Sequence, residues 1–203
     1  MELPPFDISS PMIQVATLAG SLGGILFLAK RDAIKSGYGK FLLRHRISSL
    51  EPAGYRVIHG VEFDTDDGGL LVDHLVISRF GIFPLMRQEY VGKILGGPQM
   101  SHWIQRVNLN SVKFDNPLLL AQQLKRDLSR VSGVPEKHIH PLVVFTSARL
   151  QSALPSNVLV TDAVLPHIRS YDQAVLEGPD VGLLWQSLVR LGGHSANKGS
   201  RYV

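Results

Sequence analysis

Residues 12 to 29 read MIQVATLAGSLGGILFLA, a run without a single charge, and KRDAIKSGYGK follows at once. A helix rises about 1.5 Å per residue and about 20 residues cross the hydrocarbon layer, so the run sits at the lower end of spanning length. It is read as one transmembrane helix over residues 12–30, with an extramembrane leader over 1–11. A cleavable signal is the main rival, but MELPPFDISSP is acidic where a signal carries positive charge. A buried core helix is the other alternative.

Lys30, Arg31, Lys35 and Lys40 follow the run, whereas Glu2 and Asp7 precede it. This asymmetry places the C-terminal body in the cytoplasm, tethered to the inner membrane as a single-pass protein. Ala16, Gly20 and Gly24 recur every four residues. They form a small-residue face for helix pairing, either between copies of this chain or with other membrane-complex subunits.

The remaining body is long enough for one ordinary domain. The 203 residues are 44% apolar and 19% charged, with a net charge of +4. That balance excludes extensive disorder and fits either a polyanion or an anionic membrane surface as partner. The absence of cysteine excludes disulfides, thiolate metal sites and a thiol nucleophile.

From residue 36 the pattern is that of an α/β domain ending near residue 193. YGKFLLRHRISSL sets Phe41, Leu42, Ile47 and Leu50 on a broad apolar helix face, and EPAGY stops it. YRVIHGVEF alternates as a half-buried strand, and DTDDGG is a turn. LLVDHLVIS and IFPLMRQEYVGKIL form a strand pair joined through RFG, followed by strands at WIQRVNL and SVKF. NPLLLAQQLKRDLSRVSG is a helix with Asn116 as N-cap, Pro117 at its first position and Gly133 past its end. IHPLVVFTSA has the continuous apolar character of a doubly covered central strand. SNVLVTD is a further strand, AVLPHIRSYD a short helix and DVGLLWQSLVRLG a last amphipathic helix. Residues 194–203 read as a polar, disordered tail.

Several residues invite chemistry without supporting it. HIH at 138–140 places two histidines on one side of a strand, short of a metal site, and no metal is expected there. His74 reads more readily as a core hydrogen-bonding residue than as a phosphate ligand. Ser78, Ser147 and Ser156 have no base or elbow arrangement around them.

The chain resembles the nuclease-related domain family, NERD, of the restriction-endonuclease-like PD-(D/E)xK nucleases. The resemblance rests on GK at 39–40, YRVIH at 55–59, VDHLVISRFGIF at 72–83, Tyr90 with GKILG at 92–96, WIQ at 103–105, FDNP at 114–117 and VVFTSARL at 143–150. It implies a mixed central sheet flanked by helices. It also implies metal-assisted phosphodiester cleavage, with Mg²⁺ held by carboxylates and a lysine activating water.

The family places a glutamate after the glycine of the first helix, an aspartate in the DH pair and a Glu-x-Lys on the third strand. Here only Asp73 is retained. Lys40, Met86 and Gln88 stand at the other positions. A thioether is a poor ligand for a hard cation, so the pattern implies a degenerate centre without a resident cofactor. Lys40 is expected to pair with Asp73 in the cation's place. The alternative is an active centre that migrated to Asp73 and Glu89, turned inward by a strand bulge and using Mg²⁺.

Arg44, Arg46, Lys125, Arg126 and Arg130 are candidate phosphate contacts if their helices border the cleft; otherwise they are solvated helix faces. The implied function is nucleic-acid binding, or scaffolding of a DNA-handling membrane assembly, without cleavage. The remaining alternative is a structural membrane subunit that docks partners through its sheet edge or last helix, including Trp185.

Overall fold

A computed structural model describes residues 37–65, 68–151 and 154–194. The expected span 12–30, its leader, the small-residue face at Ala16, Gly20 and Gly24, and residues 195–203 lie outside these. No helix among the described residues is long and apolar enough to cross a membrane.

The fold is mixed α/β. The first helix, α1, covers residues 37–48. Strands β1 (Arg56–Thr65), β2 (Gly68–Ser78), β3 (Gly81–Leu95), β4 (His102–Val107) and β5 (Asn110–Asp115) follow as an antiparallel meander. Helix α2 (Pro117–Ser132) then leads to β6 (Leu142–Leu150), β7 (Val158–Val160), α3 (Val164–Arg169), α4 (Gly178–Leu191) and β8 (Gly192–His194). β6 runs parallel to β3, and β7 parallel to β6.

β3 organises the sheet because both of its edges are used. Along one edge β6 pairs with residues 85–94. Along the other, β2 pairs with residues 81–85 and β4 with residues 93–95. The two partners leave a fork between them, and side chains fill it. Gln105 Nε2 donates to the Val91 carbonyl at 3.0 Å, and the Asp73 carboxylate accepts the Arg87 N–H at 2.9 Å. Main-chain groups that lose a ladder partner must find another when buried.

Strand alternation divides the core between two faces. Ile82 and Met86 join Trp103, Ala121, Leu124, Leu128 and Leu188 on the side of α2 and α4. Phe83 and Leu85 join Leu43, Ile47, Leu50, Val164 and Ile168 on the side of α1 and α3. β6 contributes Val143 and Phe145 to the first and Leu142 and Val144 to the second, as its uninterrupted apolar run requires. Each fully buried aliphatic side chain contributes roughly 1.5–3 kcal/mol.

α2 begins and ends where its sequence signals stand. Asn116 Oδ1 accepts the Leu118 N–H at 2.9 Å, Pro117 follows, and Gly133 closes the helix at φ 71°. α1 departs from expectation in its apolar face. Leu43 and Ile47, one turn apart, and Leu50 in the turn just past the helix are fully buried, whereas Phe41 is 64% exposed. The last helix is likewise amphipathic, but Trp185 packs against the core, and Leu183 and Leu191 are the exposed apolar residues. Past it the chain continues as β8, pairing Val61 with His194, so residue 194, expected in the tail, belongs to a strand instead.

Candidate functional site

Asp73 is the first residue of β2 beyond its last ladder pair with β3, His74 opposite Leu85. Its carboxylate is therefore presented at the mouth of the fork, where both oxygens face Arg87. Oδ2 accepts the Arg87 N–H at 2.9 Å, and Oδ1 lies 3.9 Å from Nη2 of the same residue. The Arg87 guanidinium is only 4% exposed and also binds the Glu89 carboxylate through Nη1. One buried cation thus joins the two acidic side chains.

α1 brings further positive charge to the same place. Gly39 sits so close to β6 that a Cβ there would lie 2.9 Å from the Thr146 Cβ, so only a bare Cα allows the approach. Lys40 follows directly. Burial raises the Asp73 carboxyl above its usual range, opposed by the Arg87 N–H and by the charges of Arg87 and Lys40. Lys40 forms no ion pair with Asp73: the expected pairing is replaced by Arg87, which starts in the adjacent strand and reaches the carboxylate through its own backbone as well.

Behind Asp73 lies a neutral histidine pair. His74 Nδ1 is 2.8 Å from His59 Nδ1, and Ser48 of α1 is 3.1 Å from His59 Nε2. His74 is 5% exposed, and burial drives its pKa down to about 3, helped by the neighbouring His59 and by the charges of Arg87, Arg44 and Lys40. His59 is lowered for the same first reason, with Arg44 adding to it. Both rings are therefore uncharged at neutral pH. The second nitrogen of His74, Nε2, is buried without a hydrogen-bond partner.

Met86 and Gln88 do not face this centre. Met86 is 2% exposed within the α2-side core, and Gln88 lines a cleft with Tyr90, Phe114 and Leu120 on that side. The residue that meets Asp73 is Arg87, between them. A bulge does occur in β3, between Gln88 and Val91 opposite β6. Glu89 at this bulge stays 42% exposed on its side chain and is held by Arg87 rather than turned into an open acidic pocket.

The five basic candidates do not share a cleft. Arg44 and Arg46 belong to α1, and Lys125, Arg126 and Arg130 to α2; the apolar stripes of the two helices bury into opposite faces of the sheet. Arg46 is paired with Asp162 at 2.8 Å, and Arg130 with Asp127 at 3.1 Å. Lys40 and Arg44, one turn apart, are the α1 cations whose fields reach the histidine pair. His140 of the HIH stretch packs 4.5 Å from Tyr171 and 5.3 Å from Phe83, ring centroid to ring centroid, so it serves the core.

These donors do not fit a hard divalent cation. Such an ion needs several oxygen ligands on one side, and here both carboxylates already neutralise a guanidinium. Among the described residues no three acidic or histidine side chains are grouped to hold a metal. The family pattern points to the two neighbours of Arg87 and not to Arg87 itself. Its signal was present all the same: a charge inside an apolar strand demands a buried partner.

The family model for the nuclease-related domain matches residues 35–146, more than half of the chain. An uncharacterized protein of Bacillus anthracis is 24% identical over 165 residues, covering 77% of this chain and 76% of the relative. No solved structure matches. The matched span contains α1, the meander, the fork and α2 together with the Asp73–Arg87 pair, and the chain belongs to the nuclease-related domain family.

Proposed function

We propose that this chain is a catalytically silent member of its family, a restriction-endonuclease-like domain over residues 36–193 that holds nucleic acid without cutting it. The observation that carries this reading is Arg87: its N–H and guanidinium engage Asp73 while the same guanidinium engages Glu89. The charge that a metal would supply is internal to the fold, and no step routes through Mg²⁺. The carboxylates are likewise spent on each other's shared cation, so neither is free to orient a nucleophilic water.

What the centre offers outward is positive. Lys40 and Arg44 are exposed on α1, with their charges felt at the histidine pair, and present a cationic edge to phosphates, which bind through salt-sensitive contacts. A single apolar span over residues 12–30 would tether this domain on the cytoplasmic side of the inner membrane, with Ala16, Gly20 and Gly24 as its pairing face for a second copy or other subunits. That arrangement suits a scaffold for a DNA-handling assembly.

Fluorescence anisotropy of labelled DNA and RNA with the full chain, over about 50 to 300 mM salt, tests the reading. Binding falls with salt, and Lys40→Glu with Arg44→Glu weakens it at least about tenfold, while Arg126→Glu on the far face does not. Salt-insensitive failure to bind either polymer would turn the function towards protein partners.

A further inference from the structure

At the C-terminal end of β2, where its turn leads into β3, lies a cleft of about 700 Å³ lined by none of the residues around Asp73. Three arginines from separate elements converge on it: Arg56 at the start of β1, Arg79 in the β2–β3 turn and Arg169 at the end of α3. All three are exposed, and none takes part in an ion pair among the described residues. Among the described residues, Asp172 is the one carboxylate on the lining. Guanidiniums gathered without matching acids make a standing field for an anion, and their planar donors suit phosphate oxygens.

The cleft also carries aromatic faces. The half-buried Phe80 and Tyr171 line it, backed by the buried Tyr55 ring, whose centroid is 6.3 Å from that of Phe80. Arg79 is already oriented, since its guanidinium carbon sits 4.8 Å from the Phe80 ring centroid. Its carbonyl accepts the N–H groups of Val175 and Leu176 at 2.8 and 3.0 Å, which fixes the turn against the segment that follows α3. Tyr171 is packed at 5.0 Å against Phe83 and 4.5 Å against His140. These are preformed surfaces, so little ordering remains to be done on binding.

From this cleft we infer a second binding site, for a nucleoside phosphate: phosphate held by Arg56, Arg79 and Arg169, base stacked on the half-buried Phe80 and Tyr171 rings. A bare phosphate leaves the aromatic lining and most of the volume unused, whereas a cleft of this size suits a small organic ligand with one charged end. Base stacking on an aromatic face tolerates any base, so the site selects a phosphate beside an aromatic ring rather than one particular nucleobase. The ligand is a free nucleotide or the phosphorylated end of a strand, which share that chemistry.

Calorimetric titration of the full chain in detergent micelles tests this, using AMP, adenosine, inorganic phosphate, and a single-stranded oligonucleotide with and without a 5′-phosphate. AMP binds more tightly than adenosine or phosphate, and Arg79→Gln and Arg169→Gln each weaken it at least about tenfold without moving the melting temperature. Preference of the same arginines for the 5′-phosphorylated strand over AMP assigns the site to a strand end, and the reverse preference assigns it to a free nucleotide. Absence of AMP binding, affinity for inorganic phosphate equal to that for AMP, or indifference to both substitutions with Arg79→Lys as further control, overturns the inference. Lys40→Glu with Arg44→Glu leaves AMP binding intact, so the fate of this site is separable from that of the α1 surface.

Discussion

Arg87 grips both oxygens of Asp73, one through its main-chain N–H at 2.9 Å and the other by its guanidinium at 3.9 Å. A residue that satisfies a carboxylate by backbone and side chain together leaves little of it for any other cation. Arg87 is buried and Asp73 half-buried, with side-chain exposures of 4% and 15%.

Breaking such a pair from one side strands a charge. Arg87→Met is expected to lower stability by about 3 kcal/mol, because Asp73 then keeps only its N–H bond in a dry setting. Asp73→Asn in that background should recover part of the loss, and a double-mutant cycle in urea should give a coupling of at least about 1 kcal/mol. Additivity of the two substitutions would show that the pair is not an energetic unit.

His74 makes stability depend on pH with a definite sign. Its folded pKa lies near 3 against an ordinary 6.5, so the native state resists protonation. The stabilisation is complete above the ordinary value and is lost as pH falls from there towards 3, by about 1.4 kcal/mol per pH unit. Asp73, raised by burial, contributes in the opposite sense: protonation favours the fold as pH falls through its raised value. Urea midpoints of wild type and His74→Asn between pH 7 and pH 4 separate the two, and the variant should lose the acid-side decline that His74 causes.

Asn116 joins a helix to a loop. Its Oδ1 caps α2 while Nδ2 donates to the Met100 carbonyl at 2.7 Å. Asn116→Ala should cost about 2 kcal/mol, adding a lost cap to a lost hydrogen bond. Asn116→Asp keeps the cap acceptor but sets a charge against the carbonyls of Gly97, Pro98 and Met100, so it should not restore stability. Thermal unfolding of the three proteins checks this, and full rescue by aspartate would reduce Asn116 to a cap alone.

Two glycines should respond in opposite directions to alanine. Gly92 follows the β3 bulge at φ 79°, where a Cβ would come 2.3 Å from the Arg106 carbonyl oxygen. Gly92→Ala should destabilise by roughly 2 kcal/mol or more. Gly182 lies in α4 with nothing within 4 Å of an added Cβ, so Gly182→Ala should stabilise by about 0.5–1 kcal/mol. Calorimetric melting temperatures moving in the same direction would contradict this contrast.

Local signals in the chain were strong enough to place most elements. The Asn116-Pro117 start and Gly133 stop of α2 act within a few residues of where they stand, and the apolar run of β6 can be buried on both faces only as a central strand. Relations between elements were less legible. Periodicity identifies an apolar stripe on α1 and on α2, but not that the stripes dock on opposite sides of the sheet, so local pattern alone does not separate the five basic residues. Gly192 does stop the last helix, but nothing local reveals that β1 offers an unpaired edge for the chain beyond it. Arg87 was hidden for a different reason: whether a strand residue meets Asp73 depends on where the β2–β3 ladder ends, and that is fixed by pairing far away in sequence.

The central claim is that the Asp73 centre is closed by Arg87. Its most direct test incubates the full chain with end-labelled DNA and RNA in Mg²⁺ and then Mn²⁺, and scores strand cleavage beside binding. The account predicts salt-sensitive binding with both polymers intact in either metal. Metal-dependent cleavage that disappears in Asp73→Ala would contradict it, and would mean that Asp73 and Glu89 release Arg87 to take up the ion.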